Sequence, residues 1–176
     1  MTEYDYDVVI IGGGITGTAV LYVLSRYTNV SKIALVEKYS QLAQVNSHFN
    51  SNSQTLHFGD IETNYSVEKA KVVKEAAEMV VHYVKNTEKN APKNEERKDE
   101  KIYHKIQKMV LAVGEEEVRS LEQRYDEIKS LFPTLRKAGR EELELIEPNI
   151  VKGRNPHEKI IALVSNEGYT INFSAL

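Results

Sequence analysis

Gly12-Gly13-Gly14-Ile15-Thr16-Gly17 is a G-x-G-x-x-G run, and each spacing fits one step in holding a pyrophosphate. Gly12 permits a tight turn off a strand, Gly14 removes the side chain where a phosphate must approach the backbone, and Gly17 lets a helix lie close to that strand. Unpaired N–H groups and the partial positive charge of a helix N-terminus then complete an anion site. Thr16 can add a hydroxyl. Glu37 follows Gly17 by 20 residues, the place where an acid accepts hydrogen bonds from the adenosine ribose and repels a 2′-phosphate. A glycine-rich turn with a chance surface acid would use the same letters, but the flanking pattern argues against it. The fingerprint alone fits either NAD or FAD.

The elements needed to position these residues are legible in the periodicity. Asp5 to Ile11 carries the run Val8-Val9-Ile10-Ile11, read as a strand covered on both faces. From Ile15, apolar positions Ile15, Ala19 and Val23 recur every four residues beside Val20, Leu24 and Tyr27, predicting a helix that ends near Thr28. Lys32 to Glu37 reads as a second strand, which makes a β-α-β unit. After a polar stretch over 39–60, Ser66 is expected to cap a helix with an inner stripe of Ala70, Val73, Ala77, Val80 and Val84. Lys85 to Lys101 holds eleven charged residues and one apolar residue, so it is expected to be an exposed loop or insertion. Lys108 to Val113 reads as a strand, Glu115 to Phe132 as a helix stopped by Pro133, Arg140 to Ile146 as a short helix, and Lys159 to Val164 as a strand.

Composition removes whole classes of function. There is no Cys, so thiolate metal sites, iron–sulfur clusters, disulfides and a cysteine nucleophile are excluded, and redox chemistry would need a bound cofactor. A net charge of -3 gives no strong field to attract nucleic acid. The aliphatic runs Met109–Val113 and Ile160–Val164 fall far short of the roughly 20 residues of a membrane-spanning helix. The acidic start carries no signal or transit pattern, which predicts a cytoplasmic location. No pair of His has the spacing of metal ligands, and His82, His104 and His157 are expected to be ordinary surface or half-buried residues.

Three stretches carry a resemblance that chooses between the dinucleotides. Asp7 to Gly17, then Ala34-Leu-Val-Glu37-Lys38, then Asn52-Ser53-Gln54-Thr55-Leu56-His57-Phe58-Gly59 resemble the glycine-oxidase and glycerol-3-phosphate-dehydrogenase type of FAD flavoprotein. Gln44 to His48 and Asn52 to Tyr65 are more narrowly similar to malate:quinone oxidoreductases, with L-2-hydroxyglutarate oxidases as near relatives. Glu142-Leu-Glu-Leu-Ile-Glu-Pro148 is similar to an E-L-x-x-x-E-P segment of that superfamily's substrate domain.

The resemblance implies an α/β, Rossmann-like FAD-binding fold with a parallel sheet, plus part of an α+β substrate domain. It implies oxidation of (S)-malate to oxaloacetate, a tricarboxylic acid cycle reaction, with electrons passed to a membrane quinone through peripheral contact at the inner face of the membrane. FAD would be held by Gly12, Gly13, Gly14, Ile15, Thr16, Gly17, Glu37, Lys38, Asn52, Ser53, Gln54, Thr55 and His57. In some relatives a histidine in this loop touches or covalently carries the flavin; His57 could equally hydrogen-bond its own loop. Residues 1–84 would be the first part of the FAD-binding domain, 85–101 the insertion, 102–164 part of the substrate domain, and 165–176 the start of the return. Family members are much longer, so the chain reads as an N-terminal portion, expected to be inactive alone and to hold no identifiable catalytic base. Alternatives are an FAD-dependent L-2-hydroxyglutarate-type oxidase, an NAD-dependent dehydrogenase domain, and a truncated nucleotide-binding module without catalysis.

Overall fold

The computed structural model describes residues 5–90 and 101–172. They fall into two compact units, Met1–Ser53 and Gln54–Leu176. In the first, β1 (Val8–Ile11), α1 (Ile15–Tyr27) and β2 (Ile33–Val36) form the expected crossover, and β1 pairs in parallel with β2 in the register Val8–Ile33 to Ile11–Val36. Asp7 ties the start of β1 to the turn before β2, because its carboxylate accepts from the Lys32 N–H at 2.9 Å and the Ser31 hydroxyl at 3.0 Å. These bonds, that from the Lys32 N–H first, hold its carboxyl below the usual range.

Burial in this unit differs from the sequence expectation. Ile10 is buried, whereas Val9 is 52% and Ile11 87% exposed, so β1 is covered on one face and open on the other. Helix α1 has no fully buried residue, and its Ile15, Val20, Val23 and Tyr27 are all exposed. The cause is arithmetic: one helix on a two-stranded sheet shields a single face, while a parallel sheet is ordinarily flanked on both.

In the second unit, β3 (Tyr103–Val113), β4 (Arg136–Gly139) and β5 (Ile160–Ile171) make an antiparallel sheet in the order β3-β5-β4. Alternation along β5 divides the core. Leu163 and Tyr169 join Ala70, Ala77, Val81, Val118, Leu121 and Ile128 on one side, the last six carried by α2 (Val67–Asn90) and α3 (Glu115–Ile128). Ala162 and Val164 pack with Leu143 and Ile146 of α4 (Arg140–Ile146) and Ile150 of α5 (Pro148–Val151).

Several element bounds differ from those read in the sequence. Strand β3 begins five residues early and β5 continues well past Val164, because each supplies the other's ladder partners over nearly its full length. Helix α3 stops at Ile128, and a hydrogen-bonded turn carries the chain to Phe132. The inner stripe of α2 passes through Val81 rather than Val80. That helix also runs to Asn90, into the stretch expected to be loop, where the Glu88 carboxylate accepts the Ile102 N–H at 2.7 Å and ties the last turns to the start of β3. The remainder of the expected insertion, 91–100, lies outside the described residues, as do 173–176.

Asp60 and Lys108 form an ion pair at 2.6 Å with side-chain exposures of 4% and 11%, and the ammonium also lies 4.8 Å from the centre of the buried Phe58 ring. Removing one member leaves the other charge buried and unpaired, which costs far more than the intact pair contributes. Asp60→Ala is expected to destabilise the second unit by about 3 kcal/mol or more. Urea unfolding followed on this unit measures it, and a midpoint within error of wild type would show that Lys108 finds solvent when released.

Candidate functional site

The glycine run occupies the turn between β1 and α1, where Gly12 takes a φ of +101° and its N–H donates to the Val36 carbonyl at 2.8 Å. Gly17 sits against that turn: a β-carbon there would lie 1.9 Å from the Gly12 carbonyl oxygen. Gly14 is the N-cap of α1. A β-carbon on Gly14 would meet only the Ser47 hydroxyl, at 3.1 Å.

Glu37, just after β2, reaches back to the turn. Its Oε2 accepts the Gly13 N–H at 2.6 Å, and its Oε1 accepts the Tyr39 N–H at 3.0 Å. These two bonds, that from Tyr39 first and that from Gly13 second, hold the carboxyl below its usual range. Two backbone donors occupy only part of a carboxylate's capacity of about four lone-pair sites, so further hydroxyl donors can still be accepted.

An open cleft of about 520 Å³ lies over the helix N-terminus, lined by Gly12, Gly14, Ile15, Thr16, Gly17 and Glu37 together with Tyr39 and the segment 43–47. That volume is in the range of roughly 300–1,000 Å³ usual for ligand sites. Ala43 has φ +57° and its N–H donates to the Gly13 carbonyl at 3.0 Å, so the far wall of the cleft is pinned to the glycine turn. Lys38 lies outside this lining, with its ammonium 5.4 Å from the Tyr39 ring centre.

The polar run that follows is divided between the two units. Asn52 belongs to the first, where its side-chain amide donates to the His48 carbonyl at 2.9 Å, and Ser53 is exposed beside it. Gln54, Thr55 and Leu56 pair with the end of β5: the Gln54 carbonyl accepts the Ile171 N–H at 2.7 Å, Thr55 bridges Thr170, and the Leu56 N–H donates to the Tyr169 carbonyl at 2.9 Å. His57 lies beyond this edge, its Nδ1 2.7 Å from Glu62 Oε1, so its partner is a carboxylate rather than the loop backbone.

A profile of the family described as malate:quinone oxidoreductase matches residues 4–176. The chain belongs to the malate:quinone oxidoreductase family. It is 44% identical over 157 residues to a probable malate:quinone oxidoreductase of Campylobacter jejuni, covering 88% of this chain and 33% of the relative. It is 39% identical over 176 residues to the malate:quinone oxidoreductase of Helicobacter pylori strain 26695, covering 98% of this chain and 37% of the relative. The chain therefore spans about a third of the length of the curated relatives it matches. Among solved structures, L-amino acid deaminase from Proteus myxofaciens in complex with anthranilate is similar in fold, with a TM-score of 0.59 and 19% identity over 98% of this chain and 34% of that one.

Within this member of the malate:quinone oxidoreductase family, two polar residues at these features were not singled out by the sequence. Ser47 Oγ accepts the Ile15 N–H at 2.9 Å, occupying one of the free donors of α1 from 32 residues away. Glu62 is the second. Neither belongs to a local spacing rule; Ser47 falls within the Gln44–His48 stretch of the family resemblance, and Glu62 within Asn52–Tyr65.

Proposed function

We propose that this chain binds FAD at the cleft over α1 and serves in the oxidation of (S)-malate to oxaloacetate, with the electrons passed to a membrane quinone. The observation that carries the reading is the pairing of a helix N-terminus, met by the Ser47 hydroxyl at the Ile15 N–H, with the Glu37 carboxylate across the Gly12–Gly17 turn, in a chain of the malate:quinone oxidoreductase family. The donor set suits the adenosine diphosphate half of FAD. Backbone N–H groups of Gly14, Ile15 and Thr16 and the hydroxyls of Thr16 and Ser47 suit phosphate oxygens, and Glu37 suits ribose hydroxyls.

Bound flavin would supply a two-electron acceptor that this Cys-free chain cannot provide from its own side chains. The residues themselves do simpler work. Ser47 holds the Ile15 N–H until an anion takes it, Gly14 keeps the approach to the backbone clear, and Glu37 keeps the turn closed through Gly13. Among the described residues no helix is long and apolar enough to cross a membrane.

The test is a flavin spectrum of the purified protein followed by bleaching with each candidate acid. Malate-dependent reduction supports the reading, reduction by L-2-hydroxyglutarate alone moves the protein to that related oxidase class, and binding of NAD in place of flavin removes the reading altogether.

Glu37→Ala is expected to weaken FAD by roughly ten- to a hundredfold, the scale of one or two charge-assisted hydrogen bonds. Because its carboxyl is held below the usual range, its contribution is fully present above that range and is lost only as pH falls through the lowered value. Calorimetric titration of the apoprotein with FAD across pH measures both effects, and equal affinities for variant and wild type would leave Glu37 as a clamp on the glycine turn alone.

A further inference from the structure

The glycines that clear the approach to α1 also leave that helix without a cap of its own. Gly14 is its N-cap residue and has no side chain to offer the first turn. Ser66 before α2 shows the ordinary arrangement, its hydroxyl accepting the Lys69 N–H at 3.1 Å. The cap of α1 comes instead from the far wall of the cleft, where Ser47 Oγ accepts the Ile15 N–H at 2.9 Å from 32 residues away. That oxygen stands 3.1 Å, and the Ser47 β-carbon 4.0 Å, from where a Gly14 β-carbon would lie. The serine side chain thus sits in the space that Gly14 leaves open.

A phosphate oxygen held by this helix end needs the same donor and the same space. Ile15 has one backbone N–H, and one oxygen at a time takes it in good geometry. The backbone on both sides of Ser47 is tied down, since the Ala43 N–H donates to the Gly13 carbonyl and the His48 N–H to the Val45 carbonyl, each at 3.0 Å. The Asn52 amide holds the His48 carbonyl from beyond, at 2.9 Å. Rotation of the Ser47 side chain about χ1, from one staggered position to another, is therefore enough to free the Ile15 N–H without moving the chain.

We propose that Ser47 is an exchangeable cap: its hydroxyl and a phosphate oxygen of the dinucleotide hold the Ile15 N–H in turn, so that binding at this cleft swaps one oxygen for another. This rests on the reading of the cleft as the FAD site. As phosphate arrives, the N–H passes to it, Ser47 turns about χ1, and the serine O–H donates to the same phosphate. No covalent bond changes and no proton is transferred. The first donor of α1 has a partner in both states, in a helix with no fully buried residue to hold it otherwise.

Hydrogen exchange of the Ile15 amide, read by NMR on the full chain, distinguishes an exchangeable cap from a fixed one. In FAD-free protein, Ser47→Ala should speed exchange at Ile15 by roughly three- to tenfold, the scale of one net hydrogen bond, while the Val23 amide within α1 reports whether the fold is kept. Once both are saturated with FAD, variant and wild type should exchange alike at Ile15, because phosphate then holds the N–H in each. Ser47→Asp supplies an oxygen that does not yield. Its carboxylate suits the helix N-terminus and repels phosphate, so exchange at Ile15 should slow while affinity for ADP, titrated by calorimetry, falls by roughly a hundredfold or more.

Faster exchange at Ile15 in Ser47→Ala than in wild type with FAD bound to both overturns the swap, since the serine would then keep the N–H in the complex. Equal rates in the FAD-free proteins overturn it from the other side. ADP that binds Ser47→Asp as tightly as wild type puts the phosphate away from Ile15 and overturns it again. In each of these cases wild-type binding of FAD leaves the proposed function standing. Should Ser47→Ala lose protection at Val23 as well, the two readings on Ser47→Asp decide. A wild-type chain that takes up neither FAD nor ADP removes the functional reading of the cleft itself, and the exchange with it, before any variant is compared.

Discussion

Gly17→Ala is expected to unfold the first unit rather than to impair a ligand contact. The added methyl would stand 1.9 Å from the Gly12 carbonyl oxygen, 3.1 Å from the Gly12 carbonyl carbon and 3.4 Å from a side-chain carbon of Ile10. Backbone atoms are on the receiving side, so no rotamer change relieves the overlap, and α1 must move off β1. With so little buried apolar surface in this unit, that separation has little to oppose it; a loss on the order of 3 kcal/mol or more would remove its cooperative folding. Amide exchange measures this locally. Protection should vanish over Val8–Ile11 and Ile33–Val36 and persist in β5, whereas wild-type protection in β1 and β2 would show that the close approach is not structurally required.

Gly14→Val is expected to fail differently, keeping the fold and losing the dinucleotide. Gly14 has φ -77° and ψ -176°, ordinary extended backbone that valine adopts without strain. Its only near neighbour is the Ser47 hydroxyl, at 3.1 Å, which can turn away. The two valine methyl groups would then fill the approach to the α1 N-terminus, and FAD affinity should drop by roughly a hundredfold or more, because phosphate could no longer reach the backbone donors. FAD content and exchange protection measured together check this. Wild-type FAD content would put the pyrophosphate elsewhere, and loss of protection in β1 would make Gly14 a packing residue like Gly17.

The two glycines stand three positions apart in one motif, yet the structure assigns them separate duties. Their spacing is a sequence property; which of them has backbone at 1.9 Å and which a mobile hydroxyl at 3.1 Å depends on where α1 and Ser47 come to rest.

The sequence by itself determined the elements whose signals are local. The β-α-β unit follows from a β-branched run, three glycines and a helical period, and Ser66 before α2 marks a start that its own hydroxyl satisfies by accepting the Lys69 N–H. Glu37 was legible for the same reason, since its distance from the glycines is set by one helix and one strand. Tertiary structure decided the rest. Strand β4 is too short and polar to announce itself, and it exists because Arg136–Gly139 finds the β5 edge. Gln54 to Leu56 carry no strand pattern, yet they join β5 through partners more than a hundred residues away. The apolar stripe of α1 predicted burial, but burial depends on what covers a face and not on the face alone. Ser47 and Glu62 depend on the same distinction. A hydroxyl that reaches a helix end 32 residues away, or a carboxylate held by a left-handed glycine, acquires its partner only when the chain has folded, because hydrogen bonds of this kind depend on distance in space and leave no period in the sequence.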